Sequence, residues 1–465
     1  MYGILSFFVS NPGNFKINDS GDREFFVPVR FSCFFKLPPI FGGSKSMAKA
    51  PVIVTAIEIG TSQINVLVGA VTNDSVSVVG RGSAPAADAV IKGDIRNMEA
   101  AGKALDQALS QADDSCGNML LRSQIVTLLV SGGGVICTRG IGTAAIRNAG
   151  GVVGEYEMRE ARENAQVVEV LNDWKIINSD DICWRLDGRM VGNPYNQRGR
   201  KLEVEALIVQ GHIPRLDNFV NLVRSSELEN AKLYPVYSPI CAKEGVATER
   251  ELVDGALLID LGAGCADYLT AHAGGILEAG TLQIGFDHVA NDLAIGLGLP
   301  FAACRKLFEN GTLKSALEQN LSVLNVAGAM GTRQIPMSQI ETIVDARLRE
   351  IFEEIRKKVP SPGGQVNGIL TGGGALYSPA LEMFTKVFGI PCRVGTVADA
   401  SGSVTNLNSP RYSAIWGALK VAASYHRSFI GSCPAGVFEN MIEGMNNIGL
   451  YLPRLIDKLW KAFKF

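Results

Sequence analysis

The sequence lacks the usual marks of metal binding, secretion and membrane spanning. No C-x-x-C pair occurs among its nine Cys, and its four His do not cluster with them. That argues against a zinc site or a disulfide framework and fits a reducing cytoplasm. No apolar run reaches the ~18 residues of a membrane span. The opening Met1–Ser10 has neither a basic start nor a small-residue cleavage site, so it is not read as a signal peptide. There is no basic surplus either: 44 Lys plus Arg stand against 46 Asp plus Glu, a formal net charge of -2. No nucleic-acid partner is expected from such a balance. A Walker-type loop is also missing, because Lys103 follows a Gly but lacks the spacing and the Ser/Thr.

What the chain has in excess is glycine, 51 in 465 residues, against a typical ~7 %. That many glycines point to tight turns between strands. With 19 % charged and 47 % apolar residues, the composition is that of a globular chain of two to four domains. Residues 1–46 stand apart. They hold nine of the 20 Phe without helical or strand periodicity, and are read as a leader, disordered or upstream of a natural start at Met47.

From Pro51 onward the pattern predicts strands at Val52–Ile59, Ile64–Thr72 and Ser75–Gly82, a helix at Met98–Ala112 and a strand at Ile125–Ser131. A similar order recurs about 200 residues later. Strands are predicted at Gly255–Leu261, Ala266–Ala273 and Ile276–Ile284, then helices at Asp287–Leu297, Phe301–Glu309 and Ser338–Val359. A strand Val366–Leu370 runs into Gly372-Gly373-Gly374, and helices Pro379–Phe388 and Arg411–His426 follow.

Each half therefore carries a hairpin with an acidic residue beside a Gly turn: Glu58-Ile59-Gly60-Thr61, and Asp260-Leu261-Gly262-Ala263-Gly264-Cys265. Taken singly, Glu58 or Asp260 could simply cap a turn. Two similar lobes face to face would bring both turns to one cleft. There, backbone N–H groups can bind phosphate and the carboxylates can hold a hydrated magnesium. Gly372–Gly374, opening toward a helix, adds a third such turn.

These motifs resemble the actin/Hsp70/sugar-kinase ATPase superfamily and, within it, the FtsA family of actin-like bacterial cell-division proteins. The resemblance runs from about Val52 to Phe465. Glu58–Val68 is similar to the first phosphate motif, Leu258–Asp267 to the second, and Ile369–Leu376 to the adenosine motif, with Pro410–Gly417 behind it. The stretch Cys137–Ala206 stands where FtsA carries its IC subdomain, and Gly192-Asn193-Pro194 and Leu202–Val209 resemble that subdomain's end.

The resemblance implies an α/β, actin-like two-lobed ATPase fold with an inserted IC-type subdomain and a C-terminal amphipathic helix. The implied division is a first lobe (IA) at 47–136, the insertion at 137–206, the first lobe continued at 207–254 and a second lobe (IIA/IIB) at 255–395. A return to the first lobe at 396–430, a flexible linker at 431–447 and a membrane-targeting helix at 448–465 complete it. ATP and Mg2+ are the implied cofactors. Glu58 and Asp260 would be the catalytic and metal-holding carboxylates, and Gly60, Thr61, Ser62, Gly262, Ala263, Gly264, Cys265, Gly372, Gly373 and Gly374 would contact the nucleotide. The implied partners are FtsZ (through about Phe286–Glu350), further copies of the chain in filaments, other division proteins through the insertion, and an anionic membrane surface. The implied place is the cytoplasmic side of the inner membrane at the division septum.

The sequence also departs from the family. The second phosphate motif usually reads Asp-x-Gly-Gly-Gly-Thr, and here Ala263 and Cys265 replace the middle Gly and the Thr. Ser62-Gln63 supplies no basic residue to the first motif. The family's Glu and Lys near the ribose and adenine align with Cys304 and Leu307, flanking Arg305 and Lys306. These changes imply at most a weak ATPase. They keep open a nucleotide-independent membrane scaffold and, further off, a pilus-assembly relative or a metabolic kinase.

The tail carries its own signal. Gly431–Asn447 is rich in Gly, Asn and small residues and reads as a tether. Leu452, Leu455, Ile456, Leu459, Trp460 and Phe463 then fall at helical spacing as one apolar stripe, with Lys458, Lys461 and other basic residues beside it. That pattern predicts a helix lying in the interface of an anionic membrane; the plainer reading is a helix docked on protein.

Overall fold

The computed structural model describes residues 51–432 apart from 73–74, 87, 149, 330, 360–365 and 405. The predicted leader and terminal helix lie outside the described residues, as does the predicted tether beyond Ser432.

The β-branched runs after Pro51 form an antiparallel meander of β1 (Val52–Ile59), β2 (Gln63–Thr72) and β3 (Ser75–Pro85). β4 (Ile125–Val130) and β5 (Lys232–Tyr237) add in parallel on the other side of β1, giving the order β5-β4-β1-β2-β3. The crossover to β4 is α1 (Met98–Cys116), capped by the Asn97 side chain and stopped by Gly117 in the left-handed region. Its buried face is rich in alanine, and it lies so near β3 that a Cβ on Gly82 would fall 1.8 Å from the Ala108 carbonyl oxygen. After β5 the first half ends in α2 (Ser238–Val246).

The second half repeats this plan. β6 (Ala256–Leu261), β7 (Ala266–His272) and β8 (Gly275–Leu282) form the meander, and β9 (Asn367–Thr371) and β10 (Cys392–Val394) add in parallel. The order β10-β9-β6-β7-β8 matches the first sheet strand for strand. Between β8 and β9 lie α3 (Phe286–Leu297), α4 (Phe301–Glu309) and the long α5 (Met337–Lys358). Ile340, Val344, Leu348, Ile351 and Ile355 recur at helical spacing along α5 and are buried in the second lobe's core.

Between β4 and β5 the chain builds a separate sheet from Val135–Ala145, Lys201–His212, Trp174–Leu186 and Arg189–Val191, in that spatial order. The helix Glu155–Ala165 lies on it where Gly140 and Gly142 leave no room for a Cβ beside Ala165 and Ala161. Arg162, almost fully buried, pairs with Asp181 and lies over the Trp184 ring.

After β10 the chain returns to the first lobe. Ser401–Gly402 pairs with β3 at the sheet edge, and α6 (Ser413–Ser432) packs against α2, β1 and β4. A Cβ on Gly417 would sit 1.7 Å from the Cys241 carbonyl oxygen, so α2 and α6 meet backbone to backbone. Trp416 is buried in the core beneath them, its Nε1 donating to Asp399.

Candidate functional site

The two hairpins end in the same kind of turn. The Gly60 N–H donates to the Gln63 carbonyl at 3.0 Å, and the Gly262 N–H donates to the Cys265 carbonyl at 2.9 Å. One residue before each turn's strand ends stands the acidic group. Glu58 is register-paired with Asn65, whose Nδ2 donates to Glu58 Oε2 at 2.8 Å. Asp260 is register-paired with Asp267. The turns also touch one another: a Cβ on Gly264 would lie 2.4 Å from Thr61 Oγ1 and 2.9 Å from the Lys92 backbone.

The third turn follows β9. Thr371, wholly buried, donates from Oγ1 toward the Gly395 and Pro410 carbonyls and meets Ser413 Oγ, fixing the strand end. Gly372 then adopts φ +82°, and a Cβ there would lie 2.2 Å from Asp260 Oδ1. Only glycine suits this position.

One cleft between the lobes is lined by Glu58, Gly60, Thr61, Ser62, Asp260, Gly262, Ala263, Gly264, Cys265, Gly372, Gly373 and Gly374. The carboxylates and turn residues singled out in the described part of the sequence thus come together. Asp267, Ser131, Phe286, Phe308, Glu309 and Arg411 line it too and were not singled out. Asp267 carried a signal, since antiparallel hairpin geometry places it across from Asp260 on the same sheet face. Arg411 lies in the Pro410–Gly417 stretch placed behind the adenosine motif, whereas the aromatic residues come from distant elements and carried none.

The cleft is rich in carboxylates and poor in cations. Burial pushes Glu58 up to about 7, against the Asn65 hydrogen bond, and Asp267 adds to the rise. Burial likewise lifts Asp267 to about 6, although Thr281 and Ser131 donate to it. Asp260 is raised well above the ordinary carboxylate range by burial, with Asp267 and Glu58 reinforcing it. Among the described residues, no ion pair reaches any of the three. Nor, among those residues, does any group of three or more His, Cys, Asp or Glu lie close enough to hold a metal ion directly. The arrangement suits a cation that keeps its water shell, as magnesium does. The N–H groups of Thr61, Ser62, Ala263 and Gly264 make no backbone hydrogen bond among the described residues, leaving four donors at the two turns. The Cys265 thiol is pushed up to about 12, chiefly by burial. It stays protonated at neutral pH and is no nucleophile.

Helix α4 differs from the alignment-based expectation. Cys304 and Leu307 do not face the cleft; both are buried in the second lobe's core. The cleft-facing positions are Phe308 and Glu309. Phe308 packs edge-on against Phe286 at 5.1 Å, and Arg411 donates to the Phe308 and Glu309 carbonyls at 3.2 and 3.1 Å.

A family model described as "Cell division protein FtsA" matches residues 257–417. Over longer stretches the chain is similar to the cell division proteins FtsA of three bacteria. It is 24 % identical to that of Neisseria meningitidis serogroup B (79 % of this chain, 90 % of the relative) and 25 % identical to that of Bacillus subtilis (77 % and 81 %). It is 23 % identical to that of Escherichia coli K12 (88 % and 98 %). Among solved structures, a chain of the PilM-PilN type IV pilus biogenesis complex shares the fold. The TM-score is 0.53 at 15 % identity, with 80 % of this chain and 98 % of that one covered.

Proposed function

From a chain that is homologous to FtsA proteins across bacteria and has an actin-like α/β fold, we propose an actin-like cell-division protein. It binds Mg-ATP between its lobes and self-assembles. It tethers FtsZ to the cytoplasmic face of the membrane at the septum, other division proteins meeting its inserted sheet. The observation that carries this reading is the convergence of three glycine turns and the acids Glu58 and Asp260 on one interlobe cleft.

Each part of the cleft has a task in this reading. The free amides at Thr61, Ser62, Ala263 and Gly264 bind phosphate oxygens. Glu58, Asp260 and Asp267 accept hydrogen bonds from the cation's waters. Gly373 and Gly374 flank the nucleoside, with Phe308 and Arg411 beside it. Bound magnesium would neutralise phosphate charge that the three carboxylates otherwise repel. Ala263 at a turn the family keeps as glycine, and a thiol where it keeps a hydroxyl, favour slow turnover over fast.

Membrane attachment is assigned to the terminal stripe Leu452, Leu455, Ile456, Leu459, Trp460 and Phe463 with Lys458 and Lys461. So short a segment holds weakly alone, and polymerisation would multiply its grip.

Titration with a fluorescent ATP analogue, with and without magnesium, tests the cleft. Asp260→Ala should abolish the magnesium-dependent part of binding, and unchanged affinity would remove the assigned role. Trp460→Glu, or truncation before Gly449, should leave nucleotide binding intact and end co-sedimentation with anionic vesicles. Retention on those vesicles would show that the anchor lies elsewhere. A protein that never binds nucleotide yet still recruits FtsZ to vesicles would be a nucleotide-independent scaffold.

A further inference from the structure

Helix α4 belongs to the second lobe by packing but spends its polar side chains on the first. Cys304 and Leu307 hold it to its own lobe. On its other face, Arg305 Nη2 donates to the Thr61 carbonyl at 3.0 Å and Nη1 donates to Asp88 at 2.6 Å. One turn further on, Ser62 Oγ donates to Glu309 Oε1 at 3.0 Å. Thr61 and Ser62 are the middle residues of the first phosphate turn, so two of these three bridging contacts fall on the turn that would grip a phosphate. Arg411, just before α6, holds the helix's last carbonyls.

The charges around Arg305 explain why it is held in place. Its side chain is 14 % exposed and also sits 3.3 Å from Asp287 and 3.0 Å from Glu309. One guanidinium thus serves three carboxylates, and Arg is suited to this because its planar donors can reach several acceptors at once. Without it, Asp88, Asp287 and Glu309 would repel one another across the mouth of the cleft. Asp88 is mostly solvated, so its pair with Arg305 is of the weak, readily broken kind. A contact that is specific in geometry but cheap to break is what a moving part requires.

We propose that Arg305 is the clasp of an interlobe latch: its bonds to Thr61 and Asp88, with Glu309 to Ser62, hold the cleft shut, and nucleotide enters or leaves when they release. This rests on the nucleotide reading above for its ligand, but not for its geometry. The latch sets the rates of exchange and leaves affinity nearly unchanged, because Arg305 bonds to the protein on both sides of the mouth.

The test uses the full chain, as wild type, Arg305→Ala, Arg305→Lys and Asp88→Asn. Without nucleotide, hydrogen exchange in peptides covering 58–63 and 86–91 should rise in Arg305→Ala and less in the other two. With a fluorescent ATP analogue and magnesium, stopped-flow should show association and dissociation both faster by about tenfold in Arg305→Ala, with a dissociation constant shifted less than about threefold. Asp88→Asn, at an exposed site, keeps the comparison valid if Arg305→Ala does not fold. Unchanged exchange in both segments would overturn the latch. So would a faster dissociation with unchanged association, which would make Arg305 a ligand contact. If no protein binds the analogue yet exchange rises as expected, the latch stands and the nucleotide reading fails.

Discussion

Asp267 stands directly across the hairpin from Asp260, so both carboxylates leave the same face of the second sheet and point into one cleft. Like charges in that relation destabilise a strand pair, and Glu58 from the other lobe adds a third. The folded state therefore holds protons that the unfolded chain would release. Groups with raised values stabilise fully at acid pH, and that contribution is lost as pH climbs through about 6 for Asp267 and about 7 for Glu58. Without divalent cations, the melting temperature should fall between about pH 5 and pH 8. Magnesium should restore more at the upper end, since the proposed cation site is the ionised cluster. Thermal melts in chelator and in magnesium, on wild type and Asp267→Asn, check this; a melting temperature flat over that range in both would refute it.

Glu251 runs the other way. Arg393 Nε and Nη2 donate to its carboxylate at 2.6 and 2.8 Å, and Thr248 hydrogen-bonds to it as well. Burial alone would raise it, but these bonds together hold it at about 2. A depressed carboxylate stabilises above its unfolded value and loses that contribution as pH falls toward about 2. Glu251→Gln should cost about 1 kcal/mol at pH 7, after allowance for solvent screening. Urea melts should show the gap closing as pH drops below about 4.5.

Gly372→Ala should be among the most damaging single-atom changes in the cleft. It meets a left-handed backbone, Asp260 Oδ1 at 2.2 Å and the Leu261 carbonyl oxygen at 2.6 Å. Strain of this kind costs on the order of 1–3 kcal/mol. The loss should appear both in denaturant melts and in weakened nucleotide binding. A variant as stable as wild type would mean that the turn can rearrange.

The pair Ala263→Gly and Cys265→Thr restores the family's usual turn. The backbone around it is already fixed, since the Gly262 and Ala263 carbonyls accept from the first N–H groups of α3. The double variant should therefore bind the ATP analogue more tightly or turn it over faster, as read by titration and phosphate release. A fall in both would show that the present residues suit a differently arranged pocket.

The strand-and-turn core was legible in the sequence because its signals are local. The β-branched run Val52–Ile59 and the Gly60 and Gly262 turns are each set by a few neighbouring residues, and the repeat made them interpretable together. The inserted sheet was legible only at its end. Its strands pair Val135–Ala145 with Lys201–His212 across more than fifty residues, a separation that periodicity does not record. The orientation of α4 was misjudged for a related reason. Correspondence with the family places Cys304 and Leu307 at the cleft, whereas packing under α3 turns those apolar side chains inward and leaves Phe308 and Glu309 outside. Arg305 and Arg411 matter through partners some 244 and 102 residues away in the chain, which no local reading can supply.

The first lobe is built from two separated stretches of chain, and this sets an order of events during synthesis. The second lobe, 256–394, is continuous and can close its core as soon as it leaves the ribosome. The first lobe begins earlier, but its β1 and β4 wait for α6 to cover them, with Trp416 seated among Val54, Leu129 and Cys241. The half made first is thus completed last, and until Tyr425 emerges its sheet presents a bare apolar face. A nascent chain of this protein has its longest need of chaperone cover at the amino-terminal lobe.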